Sequence, residues 1–168
     1  QRRAPQKRAA QTRQKILDAS RALIGTQGYE DTRTQDIAQH AGVAEGSVFA
    51  HFGNKKGLLA GLMQDHYAML ISQAQQVTSD HPDPADRLAK LIDLHLEQLL
   101  QGWQLVRVFA HYGRYSDAQL TPVFRSLNRD YTRIFQTCLE ALIDSGKLAQ
   151  DSRADLLRDL IFGGAEHW

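Results

Sequence analysis

The chain has little cysteine and no long apolar run, and both absences narrow its class. Its 168 residues include one cysteine, Cys138, in an apolar helical run without cysteine or histidine at metal-ligand spacing. We therefore expect a buried structural thiol, and neither a metal site nor a cofactor. No stretch approaches membrane-spanning length, and the basic start lacks the apolar core of a signal peptide. These absences favour a cytoplasmic protein with no membrane partner.

Catalytic signatures are missing too. The sequence has no paired carboxylates on a common helix face, no Cys-His or Ser-His pair at a set spacing, no phosphate-binding glycine loop and no HExxH. An enzyme is therefore the least favoured class, although groups that meet only in space leave no mark in a sequence. No segment alternates as a strand, so the sequence predicts an all-α protein.

Charge is balanced overall but uneven along the chain. The formal net charge is +1, yet residues 1–60 hold ten Lys/Arg against five Asp/Glu, and residues 61–168 hold ten against fourteen. Residues 1–15 are basic with no acid, which is consistent with a solvated tail or with an arm that reaches DNA. A basic amino-terminal module on a mildly acidic body is what phosphate binding at one end requires.

Residues 32–59 have the pattern of two short helices joined by a tight turn. Thr32 and Gln35 predict a capping box at the start of the first short helix, and Gly42 predicts its end. Val48 is expected to close the core between the two helices. This arrangement is the helix-turn-helix, whose second helix lies in the DNA major groove.

The run Gly28–Leu59, GYEDTRTQDIAQHAGVAEGSVFAHFGNKKGLL, resembles without gaps the DNA-binding signature of the TetR family of bacterial transcriptional regulators. The resemblance implies an N-terminal three-helix DNA-binding head with a basic arm, residues 1–53. A C-terminal helical bundle for ligand binding and dimerisation, residues 54–168, is implied to follow. The chain departs from the family at Phe49, where a tyrosine is usual and a phosphate hydrogen bond would otherwise form.

The predicted DNA-binding residues come from this resemblance. They are Arg33, Thr34, Gln35, Ala44, Glu45, Gly46, Ser47, Phe49, Ala50, His51 and Lys55. Glutamine can pair with adenine, glutamate can accept from cytosine and alanine can meet a thymine methyl. Lys55 and the free amides of the helix after Asn54 would make a phosphate clamp. Simpler roles stay open, since Gln35 can complete its capping box, Glu45 can favour a helix start, and His51 can be a packed surface residue.

The body is expected to be a bundle of helices. The first helix of the chain is predicted over Ala9–Ile24, and a connecting helix over Asn54–Val77, before a break at Thr78–Asp86. Further helices are predicted at Pro84–Leu100, Trp103–Tyr112, Pro122–Asp144 and Arg153–Trp168, the last capped by Ser152 with Asp155.

Polar side chains on apolar helix faces are the candidates for an effector site. They are His95, Trp103, Arg107, His111, Tyr112 and Tyr131. A mostly apolar pocket with a few polar groups suits a small, largely apolar effector, but a lone inward histidine is more often a core residue.

The last helix carries Leu156, Leu157, Leu160 and Ile161, which predict a homodimer through the C-terminal helices or else a core helix within the monomer. A two-fold dimer would read a near-palindromic double-stranded operator. The chain lacks an initiating Met and stops inside this helix, so a further C-terminal helix is expected.

The resulting hypothesis is a ligand-responsive, sequence-specific repressor released from its operator by a small molecule. A DNA-binding activator or architectural protein without an effector is the alternative.

Overall fold

The computed structural model describes residues 3–165, with side chains described for 6–114 and 117–163. Within this part the chain is helical, with no strand. The helices are α1 (Arg3–Gln27), α2 (Thr34–Ala41), α3 (Glu45–Phe52), α4 (Lys55–Asp80), α5 (Pro84–Ala110), a π-helix (His111–Ser116), α6 (Leu120–Asp144) and α7 (Ala154–Ala165). The predicted all-α class is confirmed.

The chain divides into two compact units. Unit 1 comprises residues 1–66 and 102–125, and unit 2 comprises residues 67–101 and 126–168. Helices α4, α5 and α6 therefore each begin in one unit and continue into the other. The boundary predicted between Gly53 and Asn54 separates the three N-terminal helices from the rest of the chain. Unit 1 contains these helices and also the π-helix and the first part of α4.

Unit 1 is built on the packing of α1 against α2 and α3, and of α2 against α3. Fully buried apolar side chains fill its core: Ile16, Leu17, Ile37, Val48, Leu58, Leu59, Leu62 and Met63. Burial of such side chains contributes about 1.5–3 kcal/mol each relative to exposure, which is what holds the two short helices in place. Neither α2 nor α3 is long enough to be stable alone.

Unit 2 has an aromatic core and a well-capped entry to α5. Pro84 occupies the first helical turn, where a missing N–H costs nothing, and Asp83 Oδ1 accepts from the amides of Ala85 and Asp86 at 2.9 and 3.1 Å. The Cys138 thiol is buried and donates to the Pro84 carbonyl at 3.2 Å. The predicted burial of that thiol is therefore confirmed.

The predicted capping box at Thr32 is wrong. Thr32 is fully buried, and its hydroxyl turns back to donate to the Gly28 carbonyl at 2.6 Å. Helix α2 begins two residues later, after Arg33, without a side-chain cap. Gly42 does end the helix as predicted, at φ 66°, and its left-handed backbone is what a side chain would resist.

Other helix boundaries also differ from the predicted ones. Helix α1 is longer at both ends than Ala9–Ile24, so the basic segment, expected to be a solvated tail or an arm that reaches DNA, is helical from Arg3. Helix α4 continues to Asp80, which leaves a break of three residues, 81–83, where nine were expected. The Arg87 guanidinium closes that break by donating to the carbonyls of His81 and Pro82 at 2.8 and 3.0 Å.

The two helices predicted on either side of Gly102 are one kinked helix, α5. Gly102 has non-helical angles, φ −112° and ψ 16°, but the helix continues beyond it. A π-helix then follows, which the sequence did not predict. Within that π-helix, Gly113 lies against the Phe124 ring so closely that a Cβ would be 2.3 Å from it, so only glycine fits.

Helix α7 begins at Ala154, two residues after the expected cap Ser152, and the Asp155 carboxylate binds the Arg153 guanidinium at 2.5–2.9 Å. The end of the predicted last helix, residues 166–168, lies outside the described residues.

Candidate nucleic-acid interface and effector site

Helices α2 and α3 form the predicted helix-turn-helix. The Val43 amide donates to the Ala38 carbonyl at 3.0 Å and closes the turn after Gly42. Ala38 and Val48 are 2% and 0% exposed, so the small side chain of one and the branched side chain of the other join the two helices. This geometry fixes α3 as the helix that a DNA groove can receive.

None of the predicted DNA-binding residues is buried. The exposed ones are Arg33, Gln35, Ala44, Glu45, Gly46, Phe49 and Ala50, and the half-buried ones are Thr34, Ser47, His51 and Lys55. Phe49 is a large apolar side chain left 45% exposed in the middle of α3. With this exposure, Phe49 is not part of the core of unit 1.

Two of these residues meet across the turn. The Thr34 hydroxyl at the start of α2 donates to the Glu45 carboxylate at the start of α3, at 2.8 Å. The bond joins the first turns of both helices, where a carboxylate is also favoured by the helix dipole. It also occupies part of the hydrogen-bonding capacity that each side chain would offer to DNA. Sequence reasoning treated the two residues separately.

Lys55 is held against the head by two contacts. Its ammonium donates to the Glu30 carbonyl at 3.1 Å and lies 4.4 Å from the centre of the Tyr29 ring. The predicted cap before α4 is present, since Asn54 Oδ1 accepts from the Gly57 amide at 2.8 Å. An ammonium has three N–H donors, and one is satisfied by the Glu30 carbonyl. The lysine is thus positioned with donors to spare at the start of a helix.

The residues proposed for the effector site fall into two groups. Trp103, Arg107, His111 and Tyr112 belong to unit 1, and His95 and Tyr131 belong to unit 2. Trp103 is half-buried, Arg107 is exposed, and the exposed His111 ring lies 4.9 Å from the Tyr112 ring.

Tyr112 lies against the head of unit 1. Its hydroxyl donates to the Glu30 carboxylate, and its ring meets Tyr29 edge-on at 4.7 Å. Burial raises the pKa of Tyr29 to about 12. Nearby, Lys56 pairs with Asp117 at 2.6 Å, and that hydrogen bond holds the pKa of the Asp117 carboxyl below its usual value. These contacts tie the π-helix and the residue after it to the loop before α2 and the start of α4.

His95 and Tyr131 are close together in unit 2. Their ring centres are 5.9 Å apart, and both rings pack against Phe135 and Phe162 at 4.6–6.1 Å. His95 is 8% exposed and Tyr131 is 2% exposed. The expectation that His95 points inward is confirmed.

Two polar atoms in this aromatic cluster are unsatisfied. His95 Nε2 and the Tyr131 hydroxyl are buried with no hydrogen-bond partner among the described residues. Leaving such a group unpaired costs about 1–3 kcal/mol. Burial lowers the pKa of His95 to about 4 and raises that of Tyr131, so both side chains are uncharged at neutral pH. The cluster therefore offers hydrogen bonds without charge.

A cavity of about 290 Å³ between α6 and α7 was not predicted. It is lined by Arg129, Arg133, Gln136, Thr137, Glu140 and Arg158. A signal was present in the sequence, because arginines at 125, 129 and 133 recur every four residues and share one helix face. The contribution of Arg158 from α7 could not be read from sequence, since it depends on how the two helices pack.

Other kinds of site are not found in the described part of the chain. It holds no group of three or more histidine, cysteine or acidic side chains that could bind a metal ion. None of its helices combines the length and apolarity that crossing a bilayer would need.

The fold and the exposed α3 define a helix-turn-helix regulator. Residues 16–62 match the family described as bacterial regulatory proteins, tetR family, and residues 81–167 match the tetracyclin repressor-like C-terminal domain. The chain belongs to the TetR family and is a ligand-responsive, DNA-binding transcriptional regulator.

Named relatives cover most of the chain. The fatty acid metabolism regulator protein of Bacillus subtilis is 27% identical over 148 residues, 88% of this chain and 76% of its own. The transcriptional regulator AcrR of Shigella flexneri is 28% identical over 170 residues, 95% of this chain and 79% of its own. The crystal structure of FadR from Bacillus subtilis in complex with stearoyl-CoA has a TM-score of 0.81 at 26% identity, covering 91% of this chain and 82% of that one.

Proposed function

We propose that the chain is a homodimeric repressor that leaves its operator when it binds a long-chain acyl thioester. The observation that carries the proposal is the pair of unsatisfied polar atoms, His95 Nε2 and the Tyr131 hydroxyl, within a cluster of aromatic rings. The likeness to a regulator crystallised with stearoyl-CoA supports the same class of effector.

The chemistry of the cluster favours a neutral carbonyl over a carboxylate. Uncharged histidine and tyrosine can each donate a hydrogen bond, but neither supplies the positive charge that a buried carboxylate needs. A thioester carbonyl requires only donors. The rings around it match an acyl chain, since apolar surface removed from water stabilises by about 25 cal/mol per Å².

Entry of an acyl chain requires movement of Phe162. Its ring centre lies 4.6 Å from that of His95 and 4.9 Å from that of Phe135, which leaves no room between them for a ligand. Phe162 is on α7, so the ligand-bound state differs from this one in the position of that ring or of the helix. A ligand that binds only the displaced state shifts the population toward it by its differential affinity.

On the DNA side, we propose that α3 enters the major groove and that Lys55 binds a backbone phosphate. Helix α4 carries Lys55 in unit 1 and continues through residues 67–80 of unit 2, so it is a continuous covalent link between the head and the body. A change of its tilt would change the spacing of the two heads in a dimer and thereby lower operator affinity.

Dimerisation is assigned to the outer face of α7. Leu156 and Leu160 lie one turn apart and are 52% and 70% exposed. Arg158 and Phe162 lie on the opposite face and contact α6, through Gln136 and Phe135 respectively. An exposed leucine pair on a helix whose other face is packed suits a second copy of the same helix, and a two-fold dimer reads a near-palindromic operator.

The test is release of the protein from its own upstream DNA, measured by fluorescence anisotropy with stearoyl-CoA and with stearic acid. We expect stearoyl-CoA to release DNA at concentrations at least about tenfold lower than the free acid, because a buried carboxylate is costly to desolvate. Equal potency, or no release by either compound, would contradict the proposal.

Two matched tyrosine variants sharpen the test. Tyr131→Phe removes the unsatisfied hydroxyl, so we expect weaker response to stearoyl-CoA with unchanged or increased resistance to urea. Tyr67→Phe removes a hydroxyl that already bonds Asn128 at 3.3 Å in the same unit, so it should lower stability and keep the response. The reverse pattern would assign Tyr131 to the core alone.

A further inference from the structure

Three arginines from two helices surround the cavity between α6 and α7. Arg129 and Arg133 are one turn apart on α6, and Arg158 faces them from α7. Like charges at this helical spacing repel each other and destabilise the helix slightly. Neither Arg129 nor Arg133 forms an ion pair within the part of the chain that the structure describes, and both are exposed. The two guanidiniums therefore repel each other, and neither has an ion-pair partner among the described residues.

Of the other four lining residues, Arg158, Gln136 and Glu140 are already engaged with each other. Arg158 donates to Gln136 Oε1 at 2.7 Å, and Gln136 in turn donates to Glu140 at 3.0 Å. Arg158 also pairs with Asp159 at 2.7 Å, so part of its charge is balanced outside the cavity. This chain of bonds fixes the guanidinium of Arg158 and orients Glu140, the one acid in the lining. The unpaired charge comes from Arg129 and Arg133.

We infer that this cavity is a binding site for the phosphate groups of a ligand. A planar guanidinium presents paired N–H donors that match phosphate oxygens, and two unpaired guanidiniums beside a fixed third can bind two phosphates at once. A volume of about 290 Å³ suits a small phosphorylated group. The inference rests on the proposed function only in naming the effector as one source of those phosphates.

The position of the cavity is consistent with phosphates that belong to the effector. On α7, Arg158 lines the cavity, and Phe162, one turn further, packs in the aromatic cluster. Their partners on α6, Gln136 and Phe135, are adjacent in sequence. A ligand with an apolar chain and a phosphorylated head could bind both regions along the contact between the two helices. Leu156 and Leu160 lie on the opposite face of α7, so a dimer through those leucines leaves the cavity open.

The experiment is isothermal titration calorimetry of the intact protein with coenzyme A and, separately, with inorganic pyrophosphate. We expect binding that weakens as salt is raised, and a loss of about tenfold in affinity for each of Arg129→Gln and Arg133→Gln, because a charged hydrogen bond is lost in each. Lys90→Gln removes a charge of the same sign from α5 of the same unit and should change affinity by less than about twofold.

The two ligands distinguish the sources of phosphate. Binding of coenzyme A alone assigns the site to a phosphorylated effector head, and equal binding of pyrophosphate assigns it to free phosphate compounds. No binding of either ligand, or equal affinity in the arginine variants and the wild type, would overturn the inference. If stearoyl-CoA still released operator DNA in that case, the proposed function would stand and the arginine site alone would fall.

Discussion

The Tyr112 hydroxyl donates a hydrogen bond to the Glu30 carboxylate, and this bond joins a π-helix to the loop that precedes the helix-turn-helix. The pKa of Tyr112 is raised to about 12 by burial and then by the bond itself, because both favour the protonated phenol. The Tyr112 ring also meets the Tyr29 ring, which in turn lies 4.4 Å from the Lys55 ammonium. Tyr29 therefore contacts both Tyr112 of the π-helix and Lys55, the residue that we propose binds a DNA phosphate.

We expect Tyr112→Phe to lower the free energy of unfolding by about 1 kcal/mol, since it removes one hydrogen bond to a charged group at a partly exposed site. Glu30→Gln should cost a similar amount. The double variant should cost no more than either single one, because both remove the same bond. Urea unfolding of the four proteins measures this, and additive losses would show that the bond contributes nothing to stability.

Lys55→Ala should weaken operator DNA and a scrambled duplex by the same factor. A lysine that contacts phosphate carries no sequence information, so specificity is unchanged while affinity falls. The slope of log affinity against log salt should decrease by about one. Lys90→Ala is the control, because that lysine lies on α5 and pairs with Asp93 at 3.6 Å. Selective loss of operator binding would instead assign Lys55 a role in base recognition.

Phe49→Tyr should strengthen DNA binding. The side chain is 45% exposed on α3, and the TetR family usually has tyrosine there, so the added hydroxyl is placed to donate to a phosphate. We expect a gain of about threefold to tenfold in affinity by anisotropy at fixed salt, the size of one hydrogen bond to a charged acceptor. Phe49→Leu keeps the apolar contact without a hydroxyl and should show no gain. Unchanged affinity in the tyrosine variant would mean that the residue does not face the backbone.

Local signals predicted the helix-turn-helix because its geometry is set by residues close in sequence. Gly42 ends α2 through its own backbone, and Val48 needs only the adjacent helix to be buried. The capping box failed for the opposite reason. The Thr32 hydroxyl is able to cap α2 or to bond a nearby carbonyl. Thr32 is fully buried, and its hydroxyl bonds the Gly28 carbonyl instead of the start of α2.

The π-helix and the cavity between α6 and α7 depend on packing between distant segments. Gly113 is required by the Phe124 ring, which lies eleven residues away on another helix. Arg158 joins Arg129 and Arg133 only because α7 returns along α6. Sequence periodicity assigns a residue to a helix face, but it does not say which face of another helix will lie opposite. That is also why Tyr112 was grouped with His95 although the two belong to different units.

Stability should fall as pH decreases from about 6.5, because two buried histidines resist protonation. Burial lowers the pKa of His66 and of His95 from 6.5 to about 4. Between these values the unfolded chain binds protons that the folded chain does not, so their contribution to stability is complete above pH 6.5 and is lost as pH falls toward 4. Each histidine contributes a slope of up to about 1.4 kcal/mol per pH unit.

Urea unfolding between pH 6.5 and 5 tests this above the range where most carboxylates titrate. His95→Leu, with a side chain of similar volume, should reduce the slope of unfolding free energy against pH by the contribution of one histidine. Leu99→Val should lower stability equally at every pH. An unchanged slope in His95→Leu would show that His95 binds protons in the folded protein as it does in the unfolded chain, so burial would not lower its pKa.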